Sequence, residues 1–389
     1  MILTPSDLDS LADAVADAAE AREPIEILGG GALRAMGRPV NAPRTLSTAR
    51  LDKIHFYEPD ELVISLEAGV PLDLVEQTLA ASGQQLAFEP PDFSRLLQTD
   101  APRTIGGTIA ANFSGPRRFQ AGAARDHLLG FTAVNGRGEV VKSGGRVVKN
   151  VTGYDLSKLV AGSWGTLAVL STVTLKVLPR LETSASLVVL GAMPEAAVRL
   201  FARALSHPLD VTGAAWLPHG PWGERPAAVL RVEGFARSVA ERLDLLADLD
   251  EGAASLRLDE AESEALWRGV RDGDPLAAGE AAIWRISVPP LAGPELLAAV
   301  PDSPAYLDWA GGLAWMAVPP EPALGVGRIA AVLARHGGHA SMVRAPAELR
   351  AAIDAPPALP APLAALTARV KDAFDPLRVL NPGRLYRDL

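Results

Sequence analysis

The sequence contains no cysteine. That excludes structural disulfides, thiolate zinc sites and any iron–sulfur cluster held by this chain alone. Electrons that leave through such clusters need another subunit to hold them. A basic excess is missing as well: 37 Lys and Arg against 46 Asp and Glu give a net charge of −9. A net-acidic surface argues against nucleic acid as the main partner, because phosphate backbones select basic faces. No apolar run reaches the roughly 18 residues that a membrane span needs, and the N-terminus lacks a basic stretch followed by an apolar one. The expected location is therefore cytoplasmic, with membrane association only through a partner.

What the chain does have is length, apolar residues and glycine. Its 389 residues exceed one ordinary core, so two domains are expected, and 48% apolar residues are ample for both. Thr4-Pro5-Ser6-Asp7 reads as a helix start, and Leu8, Leu11, Val15 and Ala18 recur at helical spacing. Ile25 to Leu28 reads as a short buried strand that delivers Gly29-Gly30-Gly31. A hairpin is expected over Leu51 to Leu66, then a helix through Leu72, Val75 and Leu79 with Gly83 at its end. Leu86 to Pro91 reads as a short strand. Thr104-Ile105-Gly106-Gly107-Thr108-Ile109-Ala110-Ala111-Asn112-Phe113-Ser114-Gly115 follows, almost entirely small side chains. Asn135-Gly136 marks another hairpin, and Gly162-Ser163-Trp164-Gly165-Thr166 forms a third glycine cluster.

Strand-to-glycine turns invite a phosphate-loop reading, and two common versions fail. No Gly-Lys-Ser/Thr follows four spacers as a Walker loop requires, and Arg34 stands where a dinucleotide fingerprint wants Gly or Ala. Glycine loops from separate parts of a chain can still present backbone N–H groups to phosphate without side-chain bulk. Each cluster alone is as well explained by a turn; three together favour a ligand.

Arg117, Arg118, Arg125 and His127 make a local basic group that suits a phosphate, a substrate carboxylate or simple ion pairing. Asp155 fits an N-cap for a short helix at Leu156 to Val160. His336-Gly337-Gly338-His339 has no acidic partner in sequence, so no metal site is expected. Arg344 is a candidate carboxylate binder or a surface ion pair. No general base stands out. From Ser186 onward, strands alternate with amphipathic helices in a repeated β-α-β-β rhythm, which suggests two ferredoxin-like units. Six of the seven tryptophans lie there, with Trp216, Trp284 and Trp315 inside apolar strands and expected in the core.

The motifs agree in order with a known family. Gly29 to Gly31, Leu62-Val63-Ile64 to Gly69, Thr104-Ile105-Gly106-Gly107, Arg125-Asp126-His127, Gly153-Tyr154-Asp155-Leu156, Gly162 to Leu167 and Thr172 to Pro179 resemble the FAD-binding domain of the vanillyl-alcohol-oxidase type. Glu89-Pro90-Pro91, Gly115-Pro116-Arg117-Arg118, Gly144 to Asn150, Gly337-Gly338-His339 and the tail Phe374 to Tyr386 resemble one branch, the FAD-binding subunits of bacterial glycolate oxidases. The resemblance implies an α+β fold with a two-part FAD-binding domain over 1–180, a ferredoxin-like cap over 181–365, and a segment at 366–389 returning to the first domain. It implies FAD held by Gly29, Gly30, Gly31, Ala32, Leu33, Pro90, Gly106, Gly107, Thr108, Ala110, Ala111, Ser114, Gly115, Gly162, Gly165, Thr166 and Val169. Lys149 and Asn150 would border the flavin ring.

Some members of that superfamily bond the flavin to a histidine in the first glycine loop. Here Ala32 and Leu33 follow the glycines, so noncovalent FAD is expected. The implied activity is oxidation of glycolate to glyoxylate, with Arg118 and Arg344 as candidate substrate residues. The implied partners are a sister FAD subunit and an iron–sulfur subunit, which could bring the chain to the inner membrane. Related catalytic subunits carry an Asp and an Asn between two histidines near position 339, and this chain lacks both. Two other readings therefore stand beside catalysis in a complex: a non-catalytic assembly subunit, and a stand-alone dehydrogenase for another 2-hydroxy acid.

Overall fold

Asp7, rather than Thr4, starts the first helix. Its Oδ1 accepts from the Ser10 N–H at 2.8 Å while Ser10 Oγ returns to the Asp7 N–H, a reciprocal cap that sets the helix at Leu8–Ala21. This computed structural model describes residues 1–145, 154–249, 254–319, 322–353 and 359–388. They fall into two units, one of Met1–Ser114, Gly122–Arg180 and Ala347–Leu389, the other of Gly115–Ala121 and Leu181–Pro346.

The first unit holds two main sheets. A three-stranded parallel sheet places Arg44–Ser47 between Ile2–Leu3 and Ile25–Leu28. Behind it, Leu11, Val15, Ile25, Leu46 and Val134 form one core with Val379 and Leu380. A five-stranded antiparallel sheet runs in the order Ile54–Glu58, Val63–Glu67, Ala168–Lys176, Leu128–Asn135, Val140–Gly144. Its apolar side joins Leu72, Val75 and Leu79 of the Leu72–Ala80 helix and Ile105 and Ile109 of the Ile105–Ala111 helix in a second core. The expected strand at Leu86 to Pro91 does not form; the nearby pairing is that of Gln84–Gln85, just before it, with Leu178–Pro179. A left-handed Glu89 (φ 50°) and two prolines end the extension there. Residues 379–381 run beside Ile25, with Ile25 N–H donating to Val379 O (2.7 Å) and Asn381 N–H to Ile25 O (3.0 Å).

The second unit is built on one eight-stranded sheet. Thr183–Leu190, Val211–Leu217, Ala227–Gly234 and Ser255–Leu258, with helices Pro194–Leu205 and Ala236–Asp248, form a β-α-β-β-α-β unit. Ala282–Ser287, Ala305–Asp308, Leu313–Val318 and His339–Arg344 repeat that order with helices Gly293–Ala299 and Pro322–His336. The halves meet where Val211–Leu217 pairs antiparallel with Ala305–Asp308, so two ferredoxin-like repeats share a continuous sheet. Trp216, Trp284 and Trp315 are buried in it.

Gly115–Ala121 belongs to this unit because Arg117 fastens it. The Arg117 guanidinium meets Glu233 in a fork, Nε to Oε2 at 2.8 Å and Nη2 to Oε1 at 2.6 Å, with Arg231 Nε 3.4 Å from Oε2. Burial alone would raise the Glu233 pKa, but Arg231 and Arg117 outweigh it and hold the carboxyl at about 2. A folded pKa below the unfolded one stabilises at high pH and loses that gain as pH falls. The drop from 4.5 to about 2 corresponds to about 3 kcal/mol. Denaturant unfolding should therefore find the wild type's advantage over Glu233→Gln complete above about pH 4.5 and shrinking toward pH 2; a pH-independent difference would contradict this assignment.

Candidate functional site

Ile25–Leu28 ends at a glycine turn that touches a second loop directly. A Cβ on Gly30 would sit 2.1 Å from Pro102 O, and one on Gly29 would sit 2.2 Å from Thr104 Oγ1. Only glycine lets the two chains approach so closely. Thr104 in turn caps the Ile105–Ala111 helix: its Oγ1 accepts from Gly107 N–H at 3.3 Å, and its carbonyl accepts Thr108 Oγ1 at 3.1 Å. Gly106 and Gly107 thus occupy the first helical turn rather than a loop. A Cβ on Gly107 would have Thr104 Oγ1 at 3.3 Å as its near neighbour and otherwise point into open space.

The third cluster latches onto the far end of that helix. Gly162 N–H donates to Ile109 O (3.2 Å) and Trp164 N–H to Ala110 O (2.9 Å). Trp164 lies edge-on to Phe113, which lies edge-on to Phe93. From the C-terminal side, Asn381 bridges the outer loops: its Oδ1 accepts Ile27 N–H at 2.7 Å and its Nδ2 donates to Trp164 O at 2.8 Å. The Arg384 guanidinium donates to the carbonyls of Leu33 (2.9 Å), Arg34 (3.3 Å) and Arg38 (3.0 Å) and stacks over Trp164. Burial, then neighbouring Arg350, lowers its pKa to about 10, with Glu26 opposing, so it remains a cation at neutral pH.

Together these loops line an open cleft within the first unit. Twelve of the expected residues line it: Gly29, Gly30, Gly31, Ala32, Leu33, Gly106, Gly107, Thr108, Ala110, Ala111, Gly165 and Val169. Five others take different roles. Pro90 is buried while the next residue, Pro91, reaches the cleft with Phe93. Ser114 Oγ accepts Ala124 N–H at 3.0 Å, and Gly115 lies in the second unit. Gly162 supports the third loop from behind. Thr166 bonds Ser163 O through its hydroxyl and Lys371 Nζ through its carbonyl. Lys149 and Asn150 lie outside the described residues.

Phe93, Phe113, Asn381 and Arg384 carry no signal for the site in the sequence, although all four line the cleft. Ser163 and Trp164, within the third glycine cluster expected to line the nucleotide end, do line it. The basic residues also separate. Arg117 is an ion-pair partner of Glu233, Arg118 stacks on Trp309 at 4.7 Å, and buried His127 packs against Phe88. His336 Nε2 lies 2.7 Å from Glu295, and His339 opens an edge strand of the sheet. Arg344 donates to main-chain carbonyls of Ala277 (2.9 Å) and Ala281 (3.4 Å), a brace for the 276–281 turn. Asp155 accepts Lys158 N–H as the expected cap.

These residues fit FAD. Three backbone-rich loops surround the cleft, and its one nearby buried hydroxyl without a hydrogen-bond partner among the described residues is Ser163 Oγ. Residues 1–144 match the model of the FAD binding domain. The glycolate oxidase subunit GlcE of Escherichia coli K12 is 32% identical over 98% of this chain and 97% of its own length. The chain belongs to the GlcE family of FAD-binding proteins. The glycolate oxidase subunit GlcD of Bacillus subtilis is 30% identical over 51% of the chain and 41% of its own. A solved alkyldihydroxyacetonephosphate synthase superposes with a TM-score of 0.69, covering 98% of this chain and 75% of its own at 16% identity, so the fold is shared.

The loop contacts separate two kinds of glycine in this GlcE-family site. Gly30→Ala should cost about 1–3 kcal/mol of stability through its clash with Pro102. Gly107→Ala, whose Cβ would meet only the Thr104 hydroxyl at 3.3 Å and no main chain, should change stability by less than about 1 kcal/mol. Thermal unfolding of the cofactor-free variants checks both; equal melting temperatures would refute the distinction.

Proposed function

We propose that the chain is the FAD-bearing subunit of a glycolate-oxidising complex that takes glycolate to glyoxylate and passes electrons to a partner carrying iron–sulfur clusters. The observation that carries the reading is the cleft of three mutually packed glycine loops, in a chain that aligns with a glycolate oxidase subunit over nearly its whole length. Bound FAD supplies a two-electron acceptor. The protein's part is to hold it: main-chain N–H groups and Ser163 Oγ meet its polar atoms, Arg384 offsets negative charge, and Phe93, Phe113 and Trp164 give an apolar wall. Because the chain has no cysteine, onward transfer through iron–sulfur clusters falls to a sister subunit. Among the described residues no helix is long and apolar enough to cross a membrane; any attachment to the inner membrane falls to partners too.

One observation favours a second reading, an assembly subunit that binds FAD without oxidising substrate. Around His336 to His339 the acid and amide of related catalytic subunits are missing, and His336 is engaged with Glu295. Anaerobic addition of glycolate separates the two. Bleaching of the flavin band in the chain with its partners, under conditions where partners lacking this chain do not bleach, supports catalysis; no contribution from its flavin supports assembly.

Two measurements test the cofactor site itself. Gly107→Asp projects a carboxylate into the cleft and should weaken FAD binding at least tenfold, about 1.4 kcal/mol or more, with the cofactor-free protein still folded; full flavin absorbance after purification would sink the assignment. Acid or heat denaturation should release all flavin to a protein-free filtrate, since Ala32 and Leu33 offer no attachment. Flavin left on the precipitated chain would overturn the noncovalent reading.

A further inference from the structure

A buried hydroxyl in the first unit's cleft is left without a partner. Ser163 lines the cleft and is only 6% exposed, yet its Oγ makes no hydrogen bond among the described residues. The buried threonine hydroxyls of the same wall are engaged. Thr48 Oγ1 donates to Leu28 O (3.4 Å), Thr108 Oγ1 donates to Thr104 O (3.1 Å), and Thr104 Oγ1 accepts Gly107 N–H (3.3 Å). A buried polar group with no bond destabilises the folded chain unless a ligand meets it.

The backbone that presents Ser163 is fixed. Its N–H donates to Val160 O (3.1 Å), and its carbonyl accepts both Thr166 N–H (3.0 Å) and Thr166 Oγ1 (2.7 Å). The next residue, Trp164, is held in the left-handed region (φ 55°). Its N–H donates to Ala110 O (2.9 Å) and its carbonyl accepts Asn381 Nδ2 (2.8 Å). Strain of this kind in a non-glycine residue collects at functional sites.

Side-chain charge around the cleft has one sign. Among the described residues no carboxylate lines it, and its charged side chains are Arg34, Arg103 and Arg384. Arg34 forks with Glu26 (2.9 and 2.6 Å), and Arg103 meets Asp73. Arg384 differs. It is 7% exposed, and its guanidinium donates to the main-chain carbonyls of Leu33, Arg34 and Arg38 while lying 5.1 Å from the Trp164 ring. Glu26, the acid that acts on it from a distance, is already held by Arg34. Arg384 thus reaches from the first glycine loop to the residue beside Ser163. A buried cation bonded to neutral carbonyls is best balanced by an anion.

We propose that Ser163 Oγ and Arg384 form an anion subsite of the cleft, and that this subsite takes the pyrophosphate of the cofactor. The hydroxyl donates to a phosphate oxygen, and the guanidinium supplies charge between the first and third loops. The proposal rests on the FAD reading and adds which part of the cofactor these two residues meet. It makes Ser163 a residue that weakens the empty protein and strengthens only the loaded one.

ADP and adenosine, which share base and ribose but differ in phosphate, are the probes. Calorimetric titration of the cofactor-free full chain should show saturable ADP binding, with adenosine at least tenfold weaker. Ser163→Ala should weaken ADP and FAD at least tenfold, the loss expected for one hydrogen bond to a charged group. Its cofactor-free melting temperature should equal or exceed that of the wild type, because no bond is lost. A hydroxyl that serves the fold would lower melting temperature and affinity together, and that result overturns the proposal. Arg384→Gln should weaken ADP likewise; should it fail to fold, Ser163→Ala decides. Unchanged ADP affinity in Ser163→Ala, or adenosine binding as tight as ADP, also overturns the proposal. FAD binding without ADP binding by the wild type removes this subsite and leaves the FAD reading; binding of neither removes both.

Discussion

The close approach of main chain to main chain is the constraint on which the first unit depends. Gly29 and Gly30 lie against 102–104, and the 162–164 segment lies against the end of the Ile105–Ala111 helix. Such contacts leave no room for side chains, so the loops cannot be tuned separately. What keeps them in register is a buried cation. Lys371 Nζ donates to Thr166 O (2.7 Å), Leu380 O (3.0 Å) and Asp375 Oδ2 (2.7 Å), and Asp375 also accepts the N–H groups of Val379 and Leu380. Burial lowers the Lys371 pKa, while Asp375 works against that shift. A buried pair with its remaining hydrogen bonds satisfied specifies geometry more than it adds stability. Here the geometry specified is where Asn381 and Arg384 meet the cleft.

The second unit solves a different problem. A ferredoxin-like sheet covers one face with helices and leaves an edge, and joining two repeats through Val211–Leu217 and Ala305–Asp308 removes one edge from each. The Arg117–Glu233 fork draws a segment from the middle of the FAD domain's sequence onto this sheet. Arg118 is therefore positioned by second-unit residues although it is surrounded in sequence by first-unit ones.

Much of this was legible before any coordinates. Helix Pro194–Leu205 follows from apolar spacing and the proline at its start, and strand Leu313–Val318 from an unbroken apolar run. The three glycine clusters could be read as one site because steric permissiveness is visible in residue type. Several things were not visible. Gly106 and Gly107 sit in a helix because Thr104 caps it, an outcome that tertiary contact with Ala68 supports (Gly106 N–H to Ala68 O, 2.8 Å) and propensity opposes. Pro90 and Pro91 could not be told apart, since a left-handed Glu89 decides which one faces the cleft. Arg344 and Arg118 read alike in sequence, yet one braces a turn and the other lies on an indole. Asn381 and Arg384 were assigned to a returning tail; their place in the cleft depends on hydrogen bonds to residues some 350 positions away.

That separation in sequence has a consequence for how the protein is made. Asn381 and Ile27 meet across 354 residues, and the whole second unit is threaded between them. Closing so long a loop is slow and costs entropy that only the finished contacts recover. The sheet of the second unit, whose strands are mostly near neighbours in sequence, can form earlier, while the flavin cleft still lacks a wall. Asn381 and Arg384, the last cleft-lining residues along the chain, follow the whole second unit in sequence.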